Sequence, residues 1–94
     1  MPINTQPFEP EKHFTTPEAQ TILLNDAIDS GDAGYVADAL GIIARARGVA
    51  EIAEHAGVTR MALYKGLTRD GDPRLSTVLG VLDALGIKLK ATAA

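Results

Sequence analysis

The chain has no cysteine and no tryptophan. The first absence excludes disulfides, thiolate zinc sites and cysteine nucleophiles. Histidine occurs only at His13 and His55, too few for a His-rich metal site, and neither a metal nor another cofactor is expected. Aromatic residues make up 4% of the chain, so its core has to come mostly from Ala, Leu, Ile and Val, which suits closely packed helices. No apolar run approaches the roughly 18 residues of a membrane span. The opening MPINTQPFEPEKHF lacks the basic start and apolar block of a secretory signal, so a cytoplasmic protein without membrane association is expected. Serine occurs only at Ser30 and Ser76, and no serine–histidine–acid grouping can be assembled from them. No glycine-rich phosphate loop follows a strand. Glu51, Glu54 and His55 lie close together but have no further ligand nearby, and read as a solvated helix face. An enzyme is not expected.

What the chain does have is apolar residues at helical spacing, 46% of the total, within a length of 94 that fits one domain. A domain this small buries a modest share of its surface, so a partner would help its stability. The net charge of −3 is unevenly spread. Residues 1–43 hold seven acids and one base, net −6, and residues 44–94 hold eight bases and five acids, net +3. Local charge sets the attraction to phosphate, so the second half suits nucleic acid better than the whole-chain sum implies. The acidic half is either a surface for a basic protein partner or an ordinary solvated one.

Residues 1–15 carry Pro2, Pro7 and Pro10 and read as an extended arm, with Phe8 and Phe14 as apolar points that can pin it. Residues 16–94 read as a single helical domain. Thr16-Pro17-Glu18 is a helix start: a hydroxyl cap, a proline where its missing N–H costs nothing, and an acid near the positive end of the dipole. That helix is expected to run to Ser30 with Ile22, Leu23, Ala27 and Ile28 buried, and to end at Gly31. Asp32 caps a second helix over 33–47, with Val36, Ala39, Leu40 and Ile43 inward. Arg45 and Arg47 in its last turn either complement the dipole or reach a phosphate.

The stretch Gly48–Leu67, GVAEIAEHAGVTRMALYKGL, follows. Val49, Ile52, Ala53 and Ala56 fall on one face of a short helix. Gly57 ends it, Val58 plugs the turn, and Thr59 caps the next helix, whose inward residues are Leu63 and Leu67. Two short helices joined by about 3–4 residues containing a glycine make a helix-turn-helix. The second helix of such a unit lies in the DNA major groove. With Leu63 and Leu67 inward, Thr59, Arg60, Met61, Lys65 and Thr68 project outward and Tyr64 lies between the faces. Arg60 suits guanine, Met61 a thymine methyl, and Thr59 a base or a phosphate. Lys65, Arg69 and the Tyr64 hydroxyl suit backbone phosphate. The structural alternative for the cations is ordinary surface charge.

After the turn residues TRDGDP, a last helix is expected from Arg74 or Leu75 to Leu85, with Leu75, Val78, Leu79, Leu82 and Leu85 as its apolar stripe. Ile87-Lys88-Leu89-Lys90 alternates apolar and basic. It is either a frayed tail or a short strand pairing with a second copy across a two-fold axis. Residues 74–90 are thus the candidate dimerisation segment, carried by Leu82, Leu85, Ile87, Lys88 and Leu89. The fold expected is all-α, a five-helix bundle containing the helix-turn-helix, with that short C-terminal strand as an addition.

Taken together, ALGIIARARG, GVTRMALYKGL, GDPRLSTVL and the terminal ALGIKL resemble the HigA-like probable addiction-module antidote proteins, small antitoxins of the Xre/Cro helix-turn-helix class. QPFEPEKHFTTPEAQTILLNDAIDSGD is similar to the start of that family, so the resemblance covers nearly the whole chain. It implies an antitoxin that binds a toxin of the RelE/ParE superfamily and, as a homodimer, represses its own operon by binding operator double-stranded DNA. It places the DNA-reading positions on Thr59, Arg60, Met61, Tyr64 and Lys65, and assigns no toxin-binding residues. Three positions depart from the family pattern: Met61 where an acid is common, Gly66 where alanine is usual, and Asp72 where asparagine is usual. Two alternatives stand beside it: a Cro-like regulator with no toxin, and a helical interaction module that has lost DNA binding.

Overall fold

The computed structural model describes residues 9–93. Among these the regular elements are all helical: a single 3-10 turn at Pro10–Lys12, then α1 (Pro17–Ser30), α2 (Ala33–Arg47), α3 (Val49–Ala56), α4 (Arg60–Gly66) and α5 (Leu75–Leu85). The expected pinning by Phe8 lies outside the described residues, whereas Phe14 is half-buried.

The helix boundaries follow local chemistry. Thr16 Oγ1 accepts the Ala19 N–H at 3.1 Å, and Pro17 occupies the first helical position. The Asp32 carboxylate accepts the N–H groups of Gly34 and Tyr35 at the start of α2. Gly57 stops α3 in the left-handed conformation, φ 74°, which costs an L-residue with a Cβ more than glycine. The next N–H, that of Val58, reaches back to the Ala53 carbonyl at 3.0 Å, and Val58 packs on the core. This is a Schellman stop with its hydrophobic residue. α5 ends the same way, with Ile87 N–H on the Leu82 carbonyl at 3.0 Å and Ile87 against the core. Ile87 therefore completes a helix stop within its own chain. No strand is present among the described residues, and 87–93 has no regular structure.

Helix α2 is the centre of the molecule, packed against the 3-10 turn and every other helix. Its run from Ala39 to Ala44 is buried all round, the pattern of a helix enclosed by its neighbours. Two glycines let backbone approach it. A Cβ at Gly41 would run into the Leu67 carbonyl, and one at Gly34 would fall 2.7 Å from the Arg69 carbonyl. The chain leaving α4 thus lies directly on α2, which fixes the far end of α4.

Two apolar stripes differ from expectation. On α1 the buried residues are Gln20, Leu24 and Ala27, while Ile22 is 69% exposed and Ile28 is also exposed. The stripe is rotated because Gln20, although polar, is fully used inside. Its Nε2 donates to the Phe14 carbonyl at 2.8 Å and its Oε1 accepts from Arg47 at 3.3 Å. A buried amide with both ends satisfied costs little. On α5, Val81, Leu82 and Leu85 face the core, whereas Leu75 and Leu79 face solvent. Arg45 is held by the 3-10 turn, pairing with Glu11 at 3.6 Å, and Arg47 by α1, donating to Gln20.

Gly66, the last residue of α4, has room for a side chain, since an added Cβ would meet Pro73 at an ordinary 3.6 Å. Gly66→Ala is therefore expected to stabilise the protein by up to about 1 kcal/mol through helix propensity. A small rise in Tm by calorimetry supports this, and a fall contradicts it. Asp72 takes a left-handed φ of 46°, a conformation that Asp and Asn tolerate better than most residues.

Candidate nucleic-acid interface

Helix α4 presents one face to the core and the other to solvent. Leu63 and Leu67 are each 2% exposed, anchoring the inner face among residues of α2, α3 and α5. Arg60, Met61, Tyr64 and Lys65 are exposed, with Met61 at 63% and Tyr64 at 53%. Met61 and Tyr64 thus leave a thioether and a phenol ring on the solvent side of α4. Neither Arg60 nor Lys65 belongs to an ion pair among the described residues. Thr59 is exposed and its Oγ1 accepts the Ala62 N–H at 3.0 Å, so it caps α4 while its hydroxyl proton stays available to donate.

The other two sequence-derived DNA positions sit differently. Thr68 is half-buried and its hydroxyl donates to the Lys65 carbonyl at 3.2 Å. Arg69 turns toward α2, where Nη1 lies 2.9 Å from Asp32 Oδ2. Its guanidinium pKa is raised by that hydrogen bond. The Asp32 carboxyl is held below its ordinary value, first by Arg69 and then by the Tyr35 N–H. Sequence reasoning found Asp32 as a cap but missed its second role, because a partner 37 residues away leaves no local signal.

The depressed Asp32 pKa has a consequence for stability. The carboxylate form is favoured by folding, so its contribution is complete above the ordinary carboxylate range and is lost as pH falls through the depressed folded value. Asp32→Asn should lower Tm slightly at neutral pH, and the gap to wild type should close as the solution is acidified below that range. A gap that stays constant across the titration contradicts the assignment.

Of the candidate dimerisation residues, Leu82 and Leu85 are buried in this chain's own core and Ile87 is half-buried against it. They are committed to holding α5, which removes Leu82 and Leu85 from the surface a second copy can touch. Lys88 and Leu89 are exposed, and with Lys90 they line one side of a groove whose other side is Asn25, Ile28 and Asp29 of α1. His55 Nε2 lies 2.7 Å from Asp83 Oδ2, joining α3 to α5. Tyr35 donates its hydroxyl to Asp26 at 2.6 Å, which raises the phenol pKa and joins α2 to α1. Among the described residues no cluster of His, Asp and Glu is arranged to hold a metal ion, and no helix is long and apolar enough to cross a membrane.

Comparison with known proteins gives a family. A protein of Haemophilus influenzae strain Rd, described as uncharacterized, is 36% identical over 83 residues, covering 88% of this chain and 86% of its own length. No solved structure matches. A family model described as "Probable addiction module antidote protein" matches residues 4–93. An antidote implies a toxin partner, and the match runs through all five helices: the chain belongs to the family of probable addiction module antidote proteins.

Proposed function

We propose that this chain is the antitoxin of a two-gene module, silencing a RelE/ParE-superfamily toxin and repressing its own operon as a dimer. It acts in the cytoplasm, by binding rather than by catalysis. The observation that carries the DNA half is the outward set on α4: Arg60, Met61, Tyr64 and Lys65 are solvent-facing beside a capping Thr59, on a helix whose other face is anchored by Leu63 and Leu67. In a helix-turn-helix these are the positions that meet base edges and phosphates, and a dimer spaces two such helices about 34 Å apart for adjacent half-sites. Lys88 and Leu89 are the exposed residues suited to pairing two tails across the two-fold axis. Footprinting on the DNA upstream of the reading frame should show two protected segments about one helical turn apart. A single protected segment contradicts the dimeric repressor.

The toxin half is supported by family membership and by the charge of residues 1–43. Glu18, Asp26 and Asp29 are exposed on α1 together with Ile22. Co-expression with the adjacent gene tests it: Glu18→Lys with Asp29→Lys should weaken capture of that gene's product, and unchanged capture removes this face from the toxin site. These surface changes are preferable to deleting the helix, because Gln20, Leu24 and Ala27 belong to the core. A second reading, an interaction module without DNA binding, is favoured by the net charge of −3 and by the engagement of Arg69 with Asp32. Failure of the chain to shift any upstream duplex at low salt selects that reading.

A further inference from the structure

We propose that Asp32 withholds Arg69 from the DNA backbone, so that the first cation after α4 adds nothing to phosphate binding while Asp32 is charged. This rests on the reading of α4 as a DNA-binding helix.

Three features hold Arg69 where it is. The chain after α4 lies on α2 at Gly34, where a Cβ would come within 2.7 Å of the Arg69 carbonyl and 3.0 Å of its Cγ. The absence of a side chain there gives the arginine stem its course along the first turn of α2. Asp32 then meets the guanidinium at 2.9 Å with Oδ2, while Oδ1 accepts the Gly34 N–H at 2.9 Å and the Tyr35 N–H at 3.3 Å. The cap orients the carboxylate, so less side-chain freedom is lost when Arg69 joins it. Asp38 and Asp70 add to the negative field around the guanidinium. Arg60 and Lys65, a few residues earlier, have no such partner among the described residues.

An exposed ion pair is weak, so it does not by itself prevent exchange. The obstacle is what exchange leaves behind. A phosphate that takes Arg69 from Asp32 places its own charge beside an unpaired carboxylate with Asp38 and Asp70 close by. The attraction gained is offset by the repulsion created. Arg69 is in this way a restrained residue, and Asp32 the residue that restrains it.

Asparagine caps a helix about as well as aspartate, so Asp32→Asn keeps the start of α2 and removes only the charge. The test uses the full chain and a duplex covering the DNA upstream of its reading frame. Affinity is measured over a salt series for wild type, Asp32→Asn, Arg69→Ala and the double variant. Each phosphate neutralised changes the slope of log K against log salt by about 0.9. Wild type and Arg69→Ala should share one slope, Asp32→Asn should be steeper by about 0.9, and the double variant should return to the Arg69→Ala slope. Thermal unfolding verifies folding, and Asp32→Ser, which also caps, replaces any variant that fails to fold. The proposal is overturned if Arg69→Ala alone flattens the slope, if Asp32→Asn leaves it unchanged, or if the gain persists without Arg69. A wild-type chain with no salt-dependent binding overturns the DNA reading itself, and is distinguished because the wild-type slope is measured first.

Discussion

Leu67→Ala is expected to destabilise the protein by about 3–4 kcal/mol, within the range of buried Leu→Ala changes. Leu67 is 2% exposed, ends α4 with its N–H on the Leu63 carbonyl at 2.9 Å, and lies where Gly41 admits the chain to α2. Truncation removes apolar contacts from the core cluster that Leu67 shares with Leu40, Ile43, Ile52 and Leu63. For a domain of this size the loss corresponds to a fall in Tm on the order of 15 °C or more. Leu75→Ala is the matched comparison. Leu75 is 70% exposed despite belonging to the same apparent apolar stripe as the core leucines, and its truncation should stay within about 0.5 kcal/mol. Equal losses at the two positions contradict the packing described for α4 and α5. The comparison matters for function because Leu63 and Leu67 are what turn Arg60 and Lys65 outward.

Arg60→Ala is expected to weaken operator binding by about 1–3 kcal/mol, or roughly 5- to 150-fold, if Arg60 contacts a guanine edge. Arg60 is the first residue of α4, directly after the Thr59 cap, and is exposed. Its removal should leave the stability within about 0.5 kcal/mol of wild type, so the loss of affinity is not a loss of fold. Competition with duplexes carrying single base changes separates two roles. A base contact shows as relaxed discrimination at one position, while a phosphate contact shows as uniform weakening with a shallower salt slope. Lys65→Ala should give the second pattern. Unchanged affinity and discrimination in Arg60→Ala removes it from the reading set and shifts the weight to Met61 and Tyr64.

The helix boundaries were legible because their determinants are local. Thr16-Pro17, Asp32, Gly57-Val58, Thr59 and Gly86 act on the backbone within a few residues, and each does so in the fold. The outward face of α4 was legible for a related reason: a seven-residue helix with Leu63 buried has few ways to place its other side chains. The two stripes fail only at Ile22, Ile28, Leu75 and Leu79, because periodicity reports which residues can share a face, and the neighbours decide which face is covered. α1 has apolar residues around most of its circumference. What selects the face with Gln20 is the Phe14 carbonyl on one side and Arg47 on the other, 27 residues distant. The leucines of α5 outnumber the places α3 and α2 offer them, leaving Leu75 and Leu79 outside. The same limit applies to charge. Composition divides the chain into an acidic and a basic half, yet Arg45, Arg47 and Arg69 of the basic half are bonded to Glu11, Gln20 and Asp32 of the other. The cations left free of such partners on α4 are fewer than the charge sum implies.

Those cations decide the central claim, and a salt titration of the wild-type chain on the upstream duplex tests it most directly. If α4 docks on DNA through Arg60, Lys65 and their neighbours, log K falls linearly as salt rises from about 50 to 200 mM, with a slope of about −0.9 for each phosphate contacted. No complex at the lowest salt, or an affinity that does not change across the range, contradicts it.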